Sequence, residues 1–362
     1  MEWGIFLVTS LPPGTSATVV IQNSIAYAVR AEELNYDHAW VLEHHFTRYG
    51  LVGSPILQAG YVLGRTKRLR VGTAIQVIGL DHPVRLAEQV SLLDQMSEGR
   101  LMFGFGRGMW RKDFAVFGRD IGRSREYMEE WYAIMKSAWV TGRCSAQSDN
   151  LNFSEVKIYP RPYTKPHPPL YTVAQSPESL RWAGKQGIPV IFDRFTHAFE
   201  RTHKDLIAAL DIYNEAAQKA GHDPTQIPHA LSLLAGVSAD GEKIKKVARP
   251  FIGWWIEEGR RTSELTNRTG YEHHQAIRDR LASAGIRTGY DVADGIVENS
   301  PIGSVQECVD KIANVIEATG ITRLALGFET VGDRSAVLEC MQMYSEEVIP
   351  RVEAASVSKA VA

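Results

Sequence analysis

The sequence predicts an α/β fold, a (β/α)8 TIM barrel, and three observations carry that prediction. Short β-rich runs alternate along the chain with longer stretches of helical period, the pattern of a parallel sheet with crossover helices. Eight such runs are present, and eight strand–helix units close a barrel. The length of 362 residues suits one barrel with insertions, because such barrels are single units of about 250 residues or more.

The elements follow in order. "WGIFLV" (3–8) is a strand and "ATVVIQNSIAYAVRAEELN" (17–35) a helix with apolar residues three and four apart; "HAWVLE" (38–43) is the second strand. A helix around "PILQAGYVLGRT" (55–66) leads to strand three, "RVGTAIQVI" (70–78). In "HPVRLAEQVSLLDQMSEG" (82–99), Pro83 opens a helix and Gly99 closes it, as the missing Pro N–H and the permissive Gly backbone favour. "LMFGFG" (101–106) is strand four; an irregular arginine-bearing segment and a helix over 123–140 come next. A polar, turn-rich excursion (142–169) precedes strand five, "LYTVA" (170–174), a helix over 177–186 and strand six, "IPVIF" (188–192). "HALSLLAGVSA" (229–239) and "RLALGF" (323–328) complete the set, although the seventh unit holds a charged stretch (256–296) that does not read as a simple helix. Residues 1–350 read as one domain and 351–362 as a mobile C-terminal tail.

Composition excludes several function classes. A net charge of −2 offers no basic field for nucleic acid and no polybasic patch for a membrane surface. Cys144, Cys308 and Cys340 are too few and scattered for a disulfide framework or a cysteine zinc site, so a reducing, cytoplasmic setting is expected. The N-terminus carries an acid where a signal peptide carries positive charge, and no apolar window is long enough for a membrane span. A small-molecule partner is expected.

In a barrel, the C-terminal strand ends share one rim, where chemistry gathers. Glu43, His44 and His45 end strand two; Thr73, Ala74, Ile75 and Gln76 lie late in strand three; Arg107 ends strand four, and Gln175 and Ser176 end strand five. Adjacent strand residues face opposite ways, so His44 and His45 cannot enter one coordination sphere. With neither HxH nor HExxH present, no catalytic metal is expected. "GFGRGMWRKDF" (104–114) lacks the helical apolar stripe of a dinucleotide fingerprint, and Gly184-Lys185 is followed by Gln186, which excludes a P-loop.

The strongest local physics is at "VAQSPESLRWAGKQG" (173–187). Ser176 reads as an N-cap, Pro177 as the first helical residue and Ser179 as a first-turn residue. Free N–H groups and the positive dipole end make such a helix start an anion site. Arg107 and Arg125 would add permanently charged planar forks suited to phosphate.

These residues sit within longer runs that carry a resemblance: "LEHHF" (42–46), "HPVRLAEQVSLLDQMSEGR" (82–100), "DFAVFGRD" (113–120), "SREYMEEWYAIMK" (124–136) and "PIGSVQECVDKIANVIEATGITRLALGFE" (301–329). From residue 1 to about 350 the chain resembles the bacterial luciferase family of flavin-dependent monooxygenases, and is especially similar to the luciferase alpha subunit. The resemblance implies a TIM barrel with an insertion after strand seven and reduced FMN as a diffusible cosubstrate. Arg107 and Arg125 match its phosphate-binding arginines, Ser176 and Ser179 its helix-start contacts, and Ala174 and Gln175 precede them, Gln175 standing where luciferase has a glutamate. Ala74 and Ile75 match a non-proline cis peptide under the flavin ring, His44 the proposed catalytic base and Asp113 a nearby carboxylate. Gly106 replaces a reactive cysteine, and the segment 257–292, which matches a mobile loop, lacks that loop's lysine-rich character. Light emission is therefore not implied.

The implied function is a two-component monooxygenase. Dioxygen would add to reduced FMN supplied by a separate flavin reductase, giving a flavin C4a-hydroperoxide that oxygenates an aldehyde, ketone or aromatic or polyketide-type substrate. His44, ordinarily titrating near ~6.5, would move the proton. The resemblance also implies a dimer packed through helices near 57–66 and 83–97. Two other classes use the same barrel: a deazaflavin-dependent hydride-transfer enzyme, and a non-catalytic partner subunit like the luciferase beta chain. Trp110, Phe114, Phe117, Phe192 and Phe195 are candidates to line an apolar cavity.

Overall fold

A computed structural model describes residues 1–193, 203–263 and 288–361, together with 279, 282, 283 and 285. Its centre is a parallel sheet of β1 (Glu2–Leu7), β2 (His38–Val41), β3 (Arg70–Thr73), β4 (Leu101–Gly106), β5 (Leu170–Thr172), β6 (Ile191–Asp193), β7 (Ala230–Leu234) and β8 (Arg323–Gly327). Neighbours pair in register: Leu7 with Val41, Val41 with Thr73, Gly72 with Met102, Gly104 with Tyr171, Ala230 with Ile191, Leu231 with Leu324, and Gly4 with Ala325. The ring closes between β5 and the residues before β6, where Thr172 bridges Val190 and its N–H donates to the Pro189 carbonyl at 3.0 Å.

Large interior side chains fix where the barrel must be thin. His38 and Trp40 are fully buried, and the Trp40 indole N–H donates to His38 Nδ1 at 2.9 Å. A Cβ on Gly4 would fall 1.8 Å from that His38 nitrogen, and one on Gly72 would fall 2.3 Å from the Trp40 ring. Only glycine on the neighbouring strands leaves room for these rings.

The helices wrap the outside in the expected order: α1 (Ala17–Glu33), α2 (Pro55–Arg65), α3 (Pro83–Met96), α4 (Arg111–Val116), α5 (Ser124–Thr141), α6 (Pro177–Gln186) and α7 (Lys204–Lys219), then α8 (Gly241–Ser263), α9 (Gly289–Asn299), α10 (Val305–Thr319), α11 (Arg334–Met343) and α12 (Ile349–Val361). No described helix is long and apolar enough to cross a membrane. The insertion between β7 and β8 begins as α8, 23 residues long with Pro250 inside it, and α9 packs against that helix.

Four expectations need correction. Strand three is not continuous, because it breaks at Ala74–Ile75 and resumes as a short strand, Gln76–Val77. The arginine-bearing segment contains α4, whose six residues are too few to show a helical stripe. The polar excursion holds an antiparallel hairpin, Arg143–Gln147 with Asn152–Lys157, mostly exposed and so without a strand's apolar alternation. The residues after 350 begin as a docked helix, with Val352 buried and Glu353 accepting from the Trp3 indole N–H at 2.9 Å.

Candidate active site

At the top of β5 the chain turns into α6, and local chemistry fixes that turn. Ser176 is extended (φ −82°, ψ 150°); its Oγ accepts the Ser179 N–H at 3.3 Å and donates to Ser179 Oγ at 3.1 Å, while Pro177 occupies the first helical turn. The Arg125 guanidinium, from the first turn of α5, reaches Ser179 Oγ at 3.4 Å. Arg107, just past β4, donates from Nε to the buried Ser124 hydroxyl at 2.9 Å. Arg125 thus meets the start of α6, and Arg107 is tied to the start of α5 beside Arg125, with Ala174 buried and Gln175 half-buried at the strand end. The two guanidinium groups, the serine hydroxyls and the helix-start N–H groups can donate hydrogen bonds or positive charge, the donor set a phosphate takes, although Glu178 lies in the same first turn.

Beyond β2, His44 and His45 diverge as strand alternation requires. The His44 imidazole stacks on Trp110 (centroids 4.6 Å, 26°) and meets the Tyr49 ring edge-on (4.7 Å, 88°). Its Nε2 is sealed from solvent and has no hydrogen-bond partner. Burial, assisted by the nearby His45 charge, pushes its pKa down to about 3. This corrects the expectation of a group poised near neutrality: the ring is a neutral acceptor throughout the physiological range, and an anion brought against Nε2 would favour its charged form.

On the other side, His45 Nε2 lies 2.9 Å from Glu43 Oε1, while Glu43 Oε2 accepts the Val77 N–H at 2.9 Å. Burial raises the Glu43 carboxyl despite both contacts. Burial alone would lower His45, but its hydrogen bond and attraction to Glu43, with Asp113 and Asp81 adding, raise it. Asp113, in the first turn of α4, is buried with Oδ1 unpartnered; desolvation lifts its pKa to about 6 against the opposing charge of His45. Asp81 is also raised by burial and accepts from the Gln76 amide at 3.0 Å. The rim therefore holds a neutral imidazole on one face, and on the other a carboxyl–imidazole network whose carboxyls and imidazole are all raised, Asp113 to about 6.

At the end of β3 on the same rim, the Ala74–Ile75 peptide is cis. A Cβ on Gly106, which pairs with Val77, two residues beyond Ile75, would sit 2.7 Å from Ile75 Cδ1. The Ile75 tip thus occupies the space a side chain at position 106 would need. Gly106→Cys is expected to destabilise the fold by about 1–3 kcal/mol through overpacking, and adding Ile75→Ala to recover most of it. Urea unfolding of the two single variants and the double variant checks this, and additive effects would contradict the pairing.

The structure brings His44, Ala74, Ile75, Gly106, Arg107, Asp113, Arg125, Ala174, Gln175, Ser176 and Ser179 to the same end of the barrel. Trp110, Phe114 and Phe192 are buried, Phe117 is 44 % exposed, and Phe195 and most of the segment 257–292 lie outside the described residues. Sequence reasoning missed Tyr49, Trp255 and Ser124. Only Ser124 had a local signal, as neighbour to Arg125 at a helix start. Among the described residues, no group of three or more His, Cys, Asp or Glu side chains is placed to hold a metal ion.

Comparison with known proteins agrees with the fold. The family model for luciferase-like monooxygenases matches residues 1–323. The alkanal monooxygenase alpha chain of Photorhabdus laumondii is 38% identical over 354 residues, covering 97% of both chains. Among solved structures, the oxygenating constituent of the Pseudomonas putida 3,6-diketocamphane monooxygenase, a type II Baeyer–Villiger enzyme in complex with FMN, superposes with a TM-score of 0.78 at 21% identity, covering 97% of this chain and 98% of that one. An F420-dependent secondary alcohol dehydrogenase shares the fold with a TM-score of 0.73 at 20% identity, covering 97% of this chain and 99% of that one. A family match spanning residues 1–323 and a relative of that identity over nearly the whole length place the chain among the luciferase-like monooxygenases, the family to which it belongs.

Proposed function

We propose that the chain is the oxygenating component of a two-component system, taking reduced FMN from a separate flavin reductase and using it with dioxygen to oxygenate a small organic substrate of aldehyde, ketone or aromatic or polyketide type. The observation that carries this reading is the pair of linked arginines beside the start of α6: Arg125 reaches Ser179 of that helix, and Arg107 is bound to Ser124, the chain neighbour of Arg125. When bound, reduced FMN supplies the reaction with dioxygen, and the protein supplies position and shielding.

The chain's own residues divide the remaining work. The arginines and the Ser176–Ser179 helix start would hold the phosphate. The orphaned, buried His44 Nε2 and Asp113 Oδ1 are acceptor and carboxyl groups fitted to a polar ring system brought between them. At Nε2, neutral His44 accepts a proton as negative charge develops nearby. Asp113, balanced near pH 6, returns or holds one.

The exposed apolar residues Leu57 and Tyr61 on α2, and Leu92 and Met96 on α3, support a dimer through those two helices. The fold shared with an F420-dependent enzyme supplies the competing reading, hydride transfer with a deazaflavin. Anaerobic titration with reduced FMN, reduced riboflavin and F420 separates the two. Reduced FMN is expected to bind at least about tenfold tighter than riboflavin, as its charge-assisted phosphate contacts require. Preference for F420 over FMN would contradict the proposal.

A further inference from the structure

Tyr49 joins two parts of the chain that are 206 residues apart. Its ring edge meets His44, and its face stacks on Trp255 of α8 (centroids 4.6 Å, 12°), whose indole N–H donates to the Tyr49 carbonyl at 3.2 Å. One turn further along α8, a Cβ on Gly259 would fall 2.8 Å from both Cδ2 and Cε2 of the same tyrosine ring. Three residues on, the Thr262 hydroxyl lies 2.9 Å from that of Thr47. At spacings of four and three, Trp255, Gly259 and Thr262 share one helix face, and all of it lies against the segment that follows His44.

Backbone hydrogen bonds also tie that segment to the loop after β1, from the Leu11 N–H to the Arg48 carbonyl at 2.9 Å and from the Leu51 N–H to the Thr9 carbonyl at 3.1 Å. The His44 N–H donates to the Val52 carbonyl at 2.9 Å, and the Ser10 hydroxyl donates to the Tyr49 carbonyl at 2.7 Å. None of these contacts touches the imidazole. The ring is confined instead by Trp110 on one face, by Tyr49 at its side and by Gly50, where a Cβ would fall 2.8 Å from His44 Cδ2, and Trp255 backs Tyr49. A glycine inside a helix is unfavourable relative to alanine, and the close approach of the Tyr49 ring gives position 259 a reason to lack a side chain.

We propose that α8 positions the His44 imidazole through Tyr49: the Trp255–Gly259–Thr262 face fixes the tyrosine ring, and that ring fixes the imidazole and keeps water from it. Tyr49 and Gly259 are then positioning residues. The titratable groups that face His44 are His45 on its own segment and the Tyr49 phenol, which in turn feels Asp193 of β6; Trp110 of the β4–α4 segment and Trp255 of α8 bring no charge. Loosening the tyrosine therefore changes the hydration of His44 rather than its charged neighbours.

The test is an NMR titration of the His44 imidazole from pH 5 to 8 in the full flavin-free chain, the signal being assigned by its loss in His44→Ala. In the wild type and in Tyr49→Phe, His44 is expected to stay uncharged across this range. In Tyr49→Ala, and in Gly259→Ala, whose added methyl displaces the ring, it should begin to titrate, with its charged fraction at pH 6 about a hundredfold higher for a rise of about two pH units. Gly259→Ala guards against misfolding, since alanine is the better helix former. If both variants fold by circular dichroism and His44 remains uncharged down to pH 5 in each, the proposal is overturned. The catalytic consequence rests on the proton role assigned to His44 above, but the titration needs no flavin, so the two ideas fail separately.

Discussion

His44→Ala is expected to lose product formation by about 10²–10⁴-fold while binding reduced FMN within about twofold of wild type, the range expected for removing a positioned proton-transfer group. The split follows from geometry. His44 belongs to the β2 rim, stacked on Trp110, whereas the phosphate set lies at β4, α5 and α6. The measurement is incorporation of isotopically labelled dioxygen into a panel of carbonyl and aromatic substrates, with flavin affinity determined in parallel. A pKa near 3 makes His44 a weak base in the flavin-free chain, so its contribution depends on negative charge arriving at Nε2 and raising its basicity there. Unchanged labelled product would remove His44 from the reaction and leave the Glu43–His45–Asp113 network as the proton-handling group.

Arg107→Ala should act on binding alone. Charge-assisted hydrogen bonds contribute about 1.5–3 kcal/mol, so FMN affinity should fall by about 10–100-fold while riboflavin, which lacks the phosphate, should change by less than about twofold. Arg107 also donates to the buried Ser124 hydroxyl, which sits beside Arg125 at the start of α5. Its removal therefore loosens the second arginine, and the double replacement with Arg125→Ala is expected to cost less than the sum of the singles. Isothermal titration with both flavins reads this directly. An equal loss for FMN and riboflavin would mean that the arginine serves the fold rather than the phosphate.

How far these features were legible depended on how local their causes are. The barrel was readable because each β-rich run is bounded by turn residues and followed by a helical stripe. The cradle at Ser176 was readable because an N-cap serine, a proline and a first-turn serine determine one another over four positions. The break in strand three was not readable from local pattern, since "RVGTAIQVI" is β-rich from end to end; only the resemblance pointed to a cis peptide at Ala74–Ile75, which the structure has. The exposed hairpin after α5 escaped because strand patterning is a signal of burial, and this ribbon has little. The depressed pKa of His44 was equally invisible: it arises from burial beside Trp110 and Tyr49, and the tyrosine is backed by Trp255, whose place in space depends on the whole insertion after β7.

That this barrel binds reduced FMN and governs its reaction with dioxygen is the proposal on which the other predictions depend. The most direct test is to mix the purified chain with anaerobically reduced FMN, admit dioxygen in a stopped-flow instrument and follow the flavin spectrum. Oxidised FMN is expected to return much more slowly than in protein-free buffer, after a lag that shortens in Arg107→Ala. Reoxidation at the protein-free rate would contradict that proposal.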